Sequence, residues 1–305
     1  MVEKDPCKII FFGTPDFAVN SLDKLCKNFN VVAVVTAVDK PQGRYNKIIP
    51  SAVKEYALNH SLHLLQPEKL HDENFLRQLD ELDADLFVVV AFRMLPKCVW
   101  QKPKLGTVNL HGSLLPKYRG AAPINWALIK GEKKTGVTTF FINEDIDTGK
   151  IILQDSTKIF SGDNFQTLYY KLKILGAKTL VKTVKIILEK NFKPKEQTNE
   201  GTCEAPKIAP KDCVINFDQK SEDVFNFIRG MFPNAWFLLQ GTRRCKILEA
   251  YPIDLKILEP GEIFANKKFL YIGTRDGVLS VEKLQLEGKK EMDIKSFLAG
   301  NAKLL

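Results

Sequence analysis

The first 110 residues alternate short apolar runs with amphipathic segments, and this alternation constrains the fold more than any other feature. The apolar runs lie at 8–12, 31–35, 62–65 and 85–92, and segments with helical spacing of apolar residues separate them at 15–27, 50–59 and 74–82. Strands that are apolar throughout are buried on both faces, as in a parallel sheet covered by helices on each side. The sequence therefore predicts an α/β fold.

The pattern changes in the second half of the chain. Strand-like runs at 136–142 and 151–153 precede a long helical stretch at 165–188, and the residues from 191 to 210 combine proline and glycine with no sustained periodicity. That composition is typical of a linker. The remaining residues predict one helix at 221–229 and short strands at 245–248, 269–273 and 279–284, a pattern that favours a small barrel or sandwich. We therefore expect domains at 1–190 and 210–305, joined by a linker at 191–209.

Charge and residue usage exclude several classes of protein. No apolar run approaches the roughly 20 residues that cross a bilayer, and the N-terminal run has the length of a strand rather than of a secretory signal. The six cysteines show no Cys-x-x-Cys spacing and there are four histidines, so we expect neither a zinc site nor a disulfide framework. We expect a cytoplasmic protein without a membrane partner.

The formal charge of +9 comes mainly from the first part of the chain. Residues 1–210 contain 30 Lys and Arg against 23 Asp and Glu, whereas residues 211–305 contain 15 against 13. Four lysines of the long helix fall on one stripe: Lys171, Lys178, Lys182 and Lys185. Such a stripe is either a solvated face, which we favour, or a surface that contacts the phosphates of a nucleic acid.

The turn Gly13-Thr14-Pro15 follows the first strand, where a dinucleotide-binding or phosphate-binding loop would lie. A dinucleotide fingerprint needs three spaced glycines, and this turn has one, so a nicotinamide dehydrogenase and a Walker loop are not expected. Two interpretations stay open: Gly13 and Thr14 shape a pocket wall at the end of the strand, or the segment is simply a tight turn that needs glycine, which we favour slightly.

The segment 106–126, GTVNLHGSLLPKYRGAAPINW, concentrates the candidate chemistry. Side chains alternate along a strand, so Asn109 and His111 share one face. An amide and an imidazole placed together suit the stabilisation of an oxyanion and the transfer of a proton, although such a pair more often satisfies the hydrogen bonds of each other or of a backbone group. Ser113, Leu114, Leu115 and Pro116 form a turn beside them, and Asp147 in a later acidic turn either orients the imidazole or only caps its own loop.

Four segments carry a resemblance to a known family: FFGTPDFAV, VVVAFRMLPKCVW, NLHGSLLPKYRGAAPINWAL and INEDIDTGKIILQ. In this order and spacing they resemble the formyltransferases that use 10-formyltetrahydrofolate, and most closely the branch that formylates methionyl-tRNA. The resemblance covers the whole chain. It implies a Rossmann-like N-terminal domain, a C-terminal barrel resembling an OB fold, and no metal.

The resemblance also implies roles for individual residues. Asn109, His111 and Asp147 match the family's catalytic positions, and Ser113 to Pro116 match its folate-contacting segment. Met94 and Leu95 are expected to line the pterin pocket. The implied reaction transfers the formyl group to the α-amino group of methionine on initiator tRNA, and we expect a monomer.

We expect the tRNA contacts at two places. Arg44 and Lys47 lie in a segment that matches the family's loop that reaches the acceptor end of the tRNA. Tyr45 and Asn46 differ from the residues that many members of the family carry there. Lys178, Lys182 and Lys185 are the lysine-stripe candidates. A second departure from the family is Arg93, where many relatives carry a small residue.

Three alternatives stay open at this stage. A formyltransferase for a small amine, such as glycinamide ribonucleotide or an amino-sugar nucleotide, shares the catalytic motif, but the purine branch lacks the C-terminal barrel. A tRNA-binding protein without catalysis would be marked by loss of Asn109, His111 or Asp147, all of which are present. A hydrolase that releases formate would admit water in place of an amine.

Overall fold

The structure is a computed structural model that describes residues 5–42, 47–189, 192–255 and 258–301. The side chains of Gln42, Lys47 and Asn301 lie outside this description. Its contacts divide into two compact units. The first contains the residues up to Gly120, Thr135–Thr157 and Tyr169–Glu204, and the second contains Ala121–Lys134, Lys158–Leu168 and the residues from Ala205 onward.

The strands of the first unit follow one another along the chain with helices between most of them. The strands are β1 (Asp5–Gly13), β2 (Phe29–Val35), β3 (Lys40–Gln42), β4 (Lys47–Ile49), β5 (Leu64–Leu65), β6 (Leu86–Val90), β7 (Thr107–His111), β8 (Lys117–Arg119), β9 (Lys134–Phe141), β10 (Ile151–Lys158) and β11 (Cys203–Glu204). The helices are α1 (Asp16–Asn28), α2 (Ala52–Asn59), α3 (Glu73–Leu82), α4 (Lys97–Trp100) and α6 (Phe165–Leu188).

The main sheet of this unit has the spatial order β10-β9-β7-β6-β1-β2-β5. The strands from β7 to β5 in this order pair in parallel, whereas β9 runs antiparallel to β7. All five residues of β6 are buried. The predicted Rossmann-like α/β class is therefore confirmed. The antiparallel direction of β9 was not predicted, because an apolar run carries no information about direction.

The chain order of the strands creates a switch point in the sheet. From β1 the chain builds outward through β2 to β5, then returns to place β6 on the other side of β1. In open α/β sheets, ligands bind outside the carboxyl ends of the strands at such a point. The segments at this edge are the turn after Gly13, the loop after Val90 and the turn after His111.

Gly13 is required at the end of β1 for close packing. A Cβ atom there would lie 2.7 Å from the Phe11 ring and 2.8 Å from the Ala18 Cβ atom. This position has no room for a side chain. Glycine is therefore needed here for close packing between the strand and α1, a reason that the sequence did not predict.

The predicted helices of the first unit form with buried apolar faces, and α2 and α3 also begin with side-chain caps. In α1, Phe17, Leu22 and Leu25 are buried. The Ser51 hydroxyl accepts a hydrogen bond from the Lys54 N–H at the start of α2, and the Asp72 carboxylate accepts one from the Phe75 N–H at the start of α3. Each cap satisfies a backbone donor that the helix leaves without a partner.

The second unit contains an antiparallel, curled sheet of the half-barrel kind, which confirms the predicted OB-like domain. Its strands are β12 (Trp236–Leu239), β13 (Arg243–Ile253), β14 (Ile263–Ala265), β15 (Leu270–Gly273), β16 (Val278–Leu286) and β17 (Met292–Asp293). They lie in the order β12-β13-β16-β15-β14, with β17 beside β16. The helices are α5 (Pro123–Ile129), α7 (Ser221–Gly230) and α8 (Ile294–Asn301), with a 3-10 turn at Pro210–Cys213.

Residues from the middle of the chain pack within this second unit. The Asn125 amide donates to the Gly230 carbonyl at 2.8 Å, so α5 is bound to α7. The guanidinium of Arg229 is buried, and its Nη1 donates to the carbonyl oxygens of Phe160 and Asp163. Burial lowers the pKa of Arg229 from its ordinary value. The sequence pattern did not predict that α5 belongs with the C-terminal sheet.

No helix among residues 5–42, 47–189, 192–255 and 258–301 is long and apolar enough to cross a membrane.

Replacement of Phe297 by alanine tests the core of the second unit. Phe297 projects from α8 with no exposed surface and packs in the cluster that contains Leu284 and Leu286. The cavity left by removing a buried phenyl ring costs about 3–5 kcal/mol in the free energy of unfolding. We expect Phe297→Ala to unfold at a clearly lower temperature in circular dichroism. Lys295→Ala, on an exposed position of the same helix, should unfold within about 3 °C of the unaltered protein, and equal melting of the two variants would contradict this packing.

Candidate active site

His111 lies at the carboxyl end of β7, where its side chain is buried with 7% of its surface exposed. Its Nε2 atom lies 2.8 Å from the carbonyl oxygen of Tyr118. A carbonyl oxygen only accepts hydrogen bonds, so Nε2 carries the proton. The other ring nitrogen, Nδ1, then faces the carboxylate of Asp147, with 3.5 Å between Nδ1 and Oδ2.

Asp147 reaches this position from the acidic turn between β9 and β10. Its backbone has φ of 54°, a conformation that side-chain-bearing residues rarely adopt. Its Oδ2 atom accepts a hydrogen bond of 2.9 Å from the Gly120 N–H, and its side chain is 14% exposed. The turn ends at Gly149. A Cβ atom on this residue would lie 1.6 Å from the Phe141 carbonyl oxygen, so the position requires glycine. These contacts fix the backbone conformation of the turn. The Asp147 carboxylate contacts Gly120 and His111, so it does more than cap its own loop.

Asn109 shares the face of β7 on which His111 lies, two residues earlier. Its backbone pairs with Val89 of β6 and Phe140 of β9, and its side chain is half-buried. Within the described residues, no hydrogen bond is formed by its side-chain amide. Asn109 and His111 therefore do not satisfy each other, and the amide is available to a bound molecule.

Two residues that were not predicted from the sequence, Thr138 and Gln154, form hydrogen bonds to the turn from Ser113 to Pro116. The Thr138 hydroxyl is fully buried, donates to the Ser113 carbonyl at 2.7 Å and accepts from the Leu115 N–H at 3.0 Å. The amide of Gln154 donates to the Leu115 carbonyl and to the Thr138 hydroxyl, both at 2.9 Å. Both strands contain several other polar residues, so Thr138 and Gln154 did not stand out in the sequence.

Tyr118 and Gly120 were also missed, because both act through backbone atoms. Tyr118 has φ of 62°, and its carbonyl oxygen holds the His111 ring. It lies in β8, which pairs with β11 near the end of the predicted linker. Residue types give no sign of such a role, so no sequence pattern predicts it.

The loop after β6 separates the two predicted pterin-pocket residues. Met94 is 76% exposed, whereas Leu95 is 6% exposed and packs in the core cluster with Phe12 and Phe87. The departing residue Arg93 donates to the carbonyl oxygens of Pro67 and Glu68 and lies over the Phe92 ring at 5.7 Å. Met94 is thus open to a ligand, and Arg93 fastens the loop to the segment after β5.

Comparisons with known proteins agree with this geometry. A family model described as formyl transferase matches residues 7–184, and a second, described as the formyl transferase C-terminal domain, matches residues 207–302. The chain belongs to the formyl transferase family. The resemblance inferred from the sequence motifs is confirmed, and the chain is accordingly an enzyme that transfers formyl groups.

Two relatives and one solved structure illustrate its place in the formyl transferase family. A methionyl-tRNA formyltransferase of Azobacteroides pseudotrichonymphae is 47% identical over 98% of this chain and 97% of the relative. The methionyl-tRNA formyltransferase of Flavobacterium johnsoniae is 46% identical over 96% of each. The structure of WlaRD, a sugar 3N-formyl transferase solved with dTDP and 5-N-formyl-THF, matches with a TM-score of 0.68 at 24% identity, over 94% of this chain and 100% of its own. At that identity the likeness concerns the fold alone.

The structure of this formyl transferase describes only some of the predicted tRNA-binding residues, and these differ in their contacts. Arg44 lies outside the described residues, as does the side chain of Lys47 in β4. Lys178 and Lys185 are exposed on α6, whereas Lys182 forms an ion pair of 3.0 Å with Asp155. Burial raises the pKa of Asp155, but hydrogen bonds from Thr179 and Lys182 outweigh it, and the pKa lies below its ordinary value.

Among the residues that the structure describes, no group of three or more His, Cys, Asp or Glu side chains is arranged to hold a metal ion.

Thr138→Val tests whether the fastening of the 113–116 turn matters to the site. Valine keeps the shape but leaves the Ser113 carbonyl and the Leu115 N–H without this partner, at roughly 1–3 kcal/mol for each group left unsatisfied. We expect lower thermal stability and a higher KM for the formyl donor in steady-state kinetics.

Thr139→Val is the matched control, because the buried Thr139 hydroxyl bonds to Thr183 and not to the turn. It should lose stability without a change in KM. An equal rise of KM in both variants would show that the effect is not specific to the turn.

Proposed function

We propose that this formyl transferase transfers the formyl group of 10-formyltetrahydrofolate to the α-amino group of methionine on initiator tRNA, producing the formylated tRNA used to start translation. The support is the identity of 46–47% over nearly the full length to relatives named methionyl-tRNA formyltransferase, together with a match to both family models. We further propose that it acts in the cytoplasm as a monomer.

The observation that carries the proposal is the arrangement of Asn109, His111 and Asp147 at one edge of the sheet. His111 contacts the Asp147 carboxylate through Nδ1, and the amide of Asn109 lies on the same strand face. This edge is the carboxyl end of the strands beside the switch point, where α/β folds bind ligands. We propose that these three residues are the catalytic residues.

The bound folate supplies a formyl carbon attached to nitrogen, which is open to attack by an amine. The residues at the edge fit such a donor: the Ser113 to Pro116 turn offers the half-buried Leu114, and Met94 offers an exposed apolar surface. We propose that this turn and Met94 contact the folate. Leu95 supports the loop from the core.

Asn109 and His111 act on the charge that develops on the formyl oxygen as the amine attacks. Preorganised donors in a partly buried site stabilise such a charge more strongly than water does. The Asn109 amide donates to this oxygen. His111 adds a positive charge once Nδ1 is protonated, because Nε2 already carries a proton for the Tyr118 carbonyl.

Asp147 and His111 also move the proton of the attacking amine. The amine becomes positively charged as its nitrogen bonds to carbon, and the Asp147 carboxylate, 3.5 Å from Nδ1, lies where it attracts this charge. The proton passes to the pair, and His111 returns it to the leaving nitrogen. No net proton is gained or lost by the two residues.

The two-part organisation predicted from the sequence belongs to the same proposal. We propose a catalytic domain at 1–190, a linker at 191–209 and a tRNA-binding domain at 210–305. The family-model matches at 7–184 and 207–302 support this division.

A transfer assay with three acceptors tests the proposed function. Purified protein is supplied with 10-formyltetrahydrofolate and with charged initiator tRNA, glycinamide ribonucleotide or water alone. We expect transfer to the tRNA only. Preferred transfer to the ribonucleotide, or release of formate without an acceptor, would contradict the proposed substrate.

Substitution of the catalytic residues gives a sharper test. His111→Ala and Asn109→Ala each remove a group that acts on the transition state, so we expect kcat to fall by about 100- to 10,000-fold. Affinity for the tRNA, measured by filter binding, should change little. His63→Ala, an exposed histidine of the same unit, is the control, and full activity of the His111 variant would exclude the catalytic assignment.

The lysine stripe makes a separate prediction. Replacing Lys178, Lys182 and Lys185 with glutamine should weaken tRNA binding and flatten the dependence of log K on log salt, because each phosphate contact contributes about 0.7–0.9 to the slope. We expect a smaller change from Lys182 than from the others, since it already pairs with Asp155. A triple replacement of the exposed Lys24, Lys69 and Lys104, which lie in the first unit but outside α6, is the control. An unchanged slope would show that the stripe is a solvated face.

A further inference from the structure

The side chain of Gln197 reaches the turn that carries Asp147, although it lies in the segment that the sequence predicts as a linker. Its Nε2 atom donates to the carbonyl oxygens of Asp147 at 2.9 Å and Gly149 at 2.8 Å. Its Oε1 atom accepts from Nε and Nη2 of Arg119 at 3.2 Å and 2.7 Å. Neither family-model match, at 7–184 or 207–302, includes this residue.

The chemistry of the partners leaves a single orientation for the Gln197 amide. A guanidinium only donates hydrogen bonds and a carbonyl oxygen only accepts them. The reversed amide would set its NH₂ group against Arg119 and its oxygen against two carbonyl oxygens. Arg119 therefore orients Gln197, and Gln197 in turn holds the backbone on both sides of Thr148.

The backbone that Gln197 holds is in an unfavourable conformation. Asp147 has φ of 54°, and such a conformation costs about 1–3 kcal/mol and persists only where the surroundings impose it. The same residue presents its carboxylate to His111 Nδ1. A hydrogen bond to the Asp147 carbonyl therefore contributes directly to the placement of that carboxylate.

Backbone hydrogen bonds bring the rest of this segment to the same two loops. Lys195 exchanges two hydrogen bonds with Ile151, at 2.7 Å and 2.8 Å, just after the Asp147 turn. Further along, β11 pairs with β8, which contains Tyr118, the residue whose carbonyl holds the other nitrogen of His111. Gln197 lies between these two attachments.

We propose that Gln197 is a positioning residue of the active site, which fixes the Asp147 carboxylate against His111 through the backbone of the acidic turn. This inference rests on the proposed function for its kinetic consequence. None of the hydrogen bonds of the Gln197 side chain goes to Asn109 or His111 within the described residues. Its effect therefore passes through Asp147.

Two variants distinguish the role of the NH₂ group of the Gln197 amide from the role of its oxygen. Gln197→Leu removes all four hydrogen bonds, whereas Gln197→Glu keeps an acceptor for Arg119 and sets a carboxylate oxygen against the Asp147 and Gly149 carbonyls. Glu196→Gln is the matched control, because Glu196 is the preceding residue and pairs with Lys150 at the surface. Thermal unfolding checks that each variant is folded, and Gln197→Glu keeps the test intact where Gln197→Leu does not fold.

Kinetics of formyl transfer give the first readout. We expect kcat to fall by about 10- to 100-fold in both Gln197 variants, because a misplaced catalytic group costs this much, with each KM changed by less than about threefold. In an Asp147→Asn background, the same substitutions should have little further effect, since a residue that acts through Asp147 has nothing left to position. Equal losses in both backgrounds, or an unchanged kcat, would overturn the proposal.

The imidazole signals of His111 give a second readout that needs no turnover. The chain has four histidines, so a ¹⁵N spectrum of labelled histidine rings is simple, and His111→Ala assigns the signal. We expect Gln197→Leu and Gln197→Glu to shift the His111 signals and Glu196→Gln to leave them in place. Unmoved His111 signals overturn the positioning role, whereas shifted signals in a protein that transfers no formyl group to tRNA would count against the proposed function alone.

Discussion

A buried imidazole keeps a defined orientation only where both ring nitrogens meet suitable partners, and the arrangement around His111 follows from this constraint. The Tyr118 carbonyl engages one nitrogen and the Asp147 carboxylate faces the other. Both partners lie on residues with positive φ, at 62° and 54°. Such backbone persists only where neighbouring structure imposes it. Gly120, Gly149 and Gln197 form part of that structure, so the orientation of one ring depends on three separate stretches of chain.

The sheet supplies the rigid part of the site. The parallel strands β6 and β7 end side by side next to β1, where the chain order reverses. Their residues are almost all buried, so the strand ends do not move without disturbing the core. Loops then add the groups that a strand does not provide: a carboxylate from the acidic turn, an apolar turn after His111 and the exposed Met94. A rigid edge whose loops differ in sequence allows one fold to carry different functional sites.

Much of this arrangement was predictable from the sequence, and the reasons for the exceptions are physical. Uninterrupted apolar runs predicted the buried strands, and alternation placed Asn109 and His111 on one face. Contacts made by backbone atoms were not predictable, because the Tyr118 carbonyl and the Gly120 N–H carry no side-chain signature. Long-range pairing was also invisible: nothing in the residues 121–134 or 158–168 shows that they pack in the unit of the C-terminal sheet. Gln197 was missed because a stretch that contains proline and glycine and has no sustained periodicity predicts a linker, even when one of its side chains forms four hydrogen bonds.

The attachment of the segment 195–204 restricts how this chain tolerates changes in length. A free linker accepts insertions at small entropic cost, but here an added residue between Lys195 and Cys203 would shift Gln197 or β11 out of register with its partners. Insertions are therefore expected to be tolerated only outside the stretch from Lys195 to Cys203. For the same reason, a fragment that ended at residue 190 would lack Gln197 and β11, whose hydrogen bonds hold the backbone around His111.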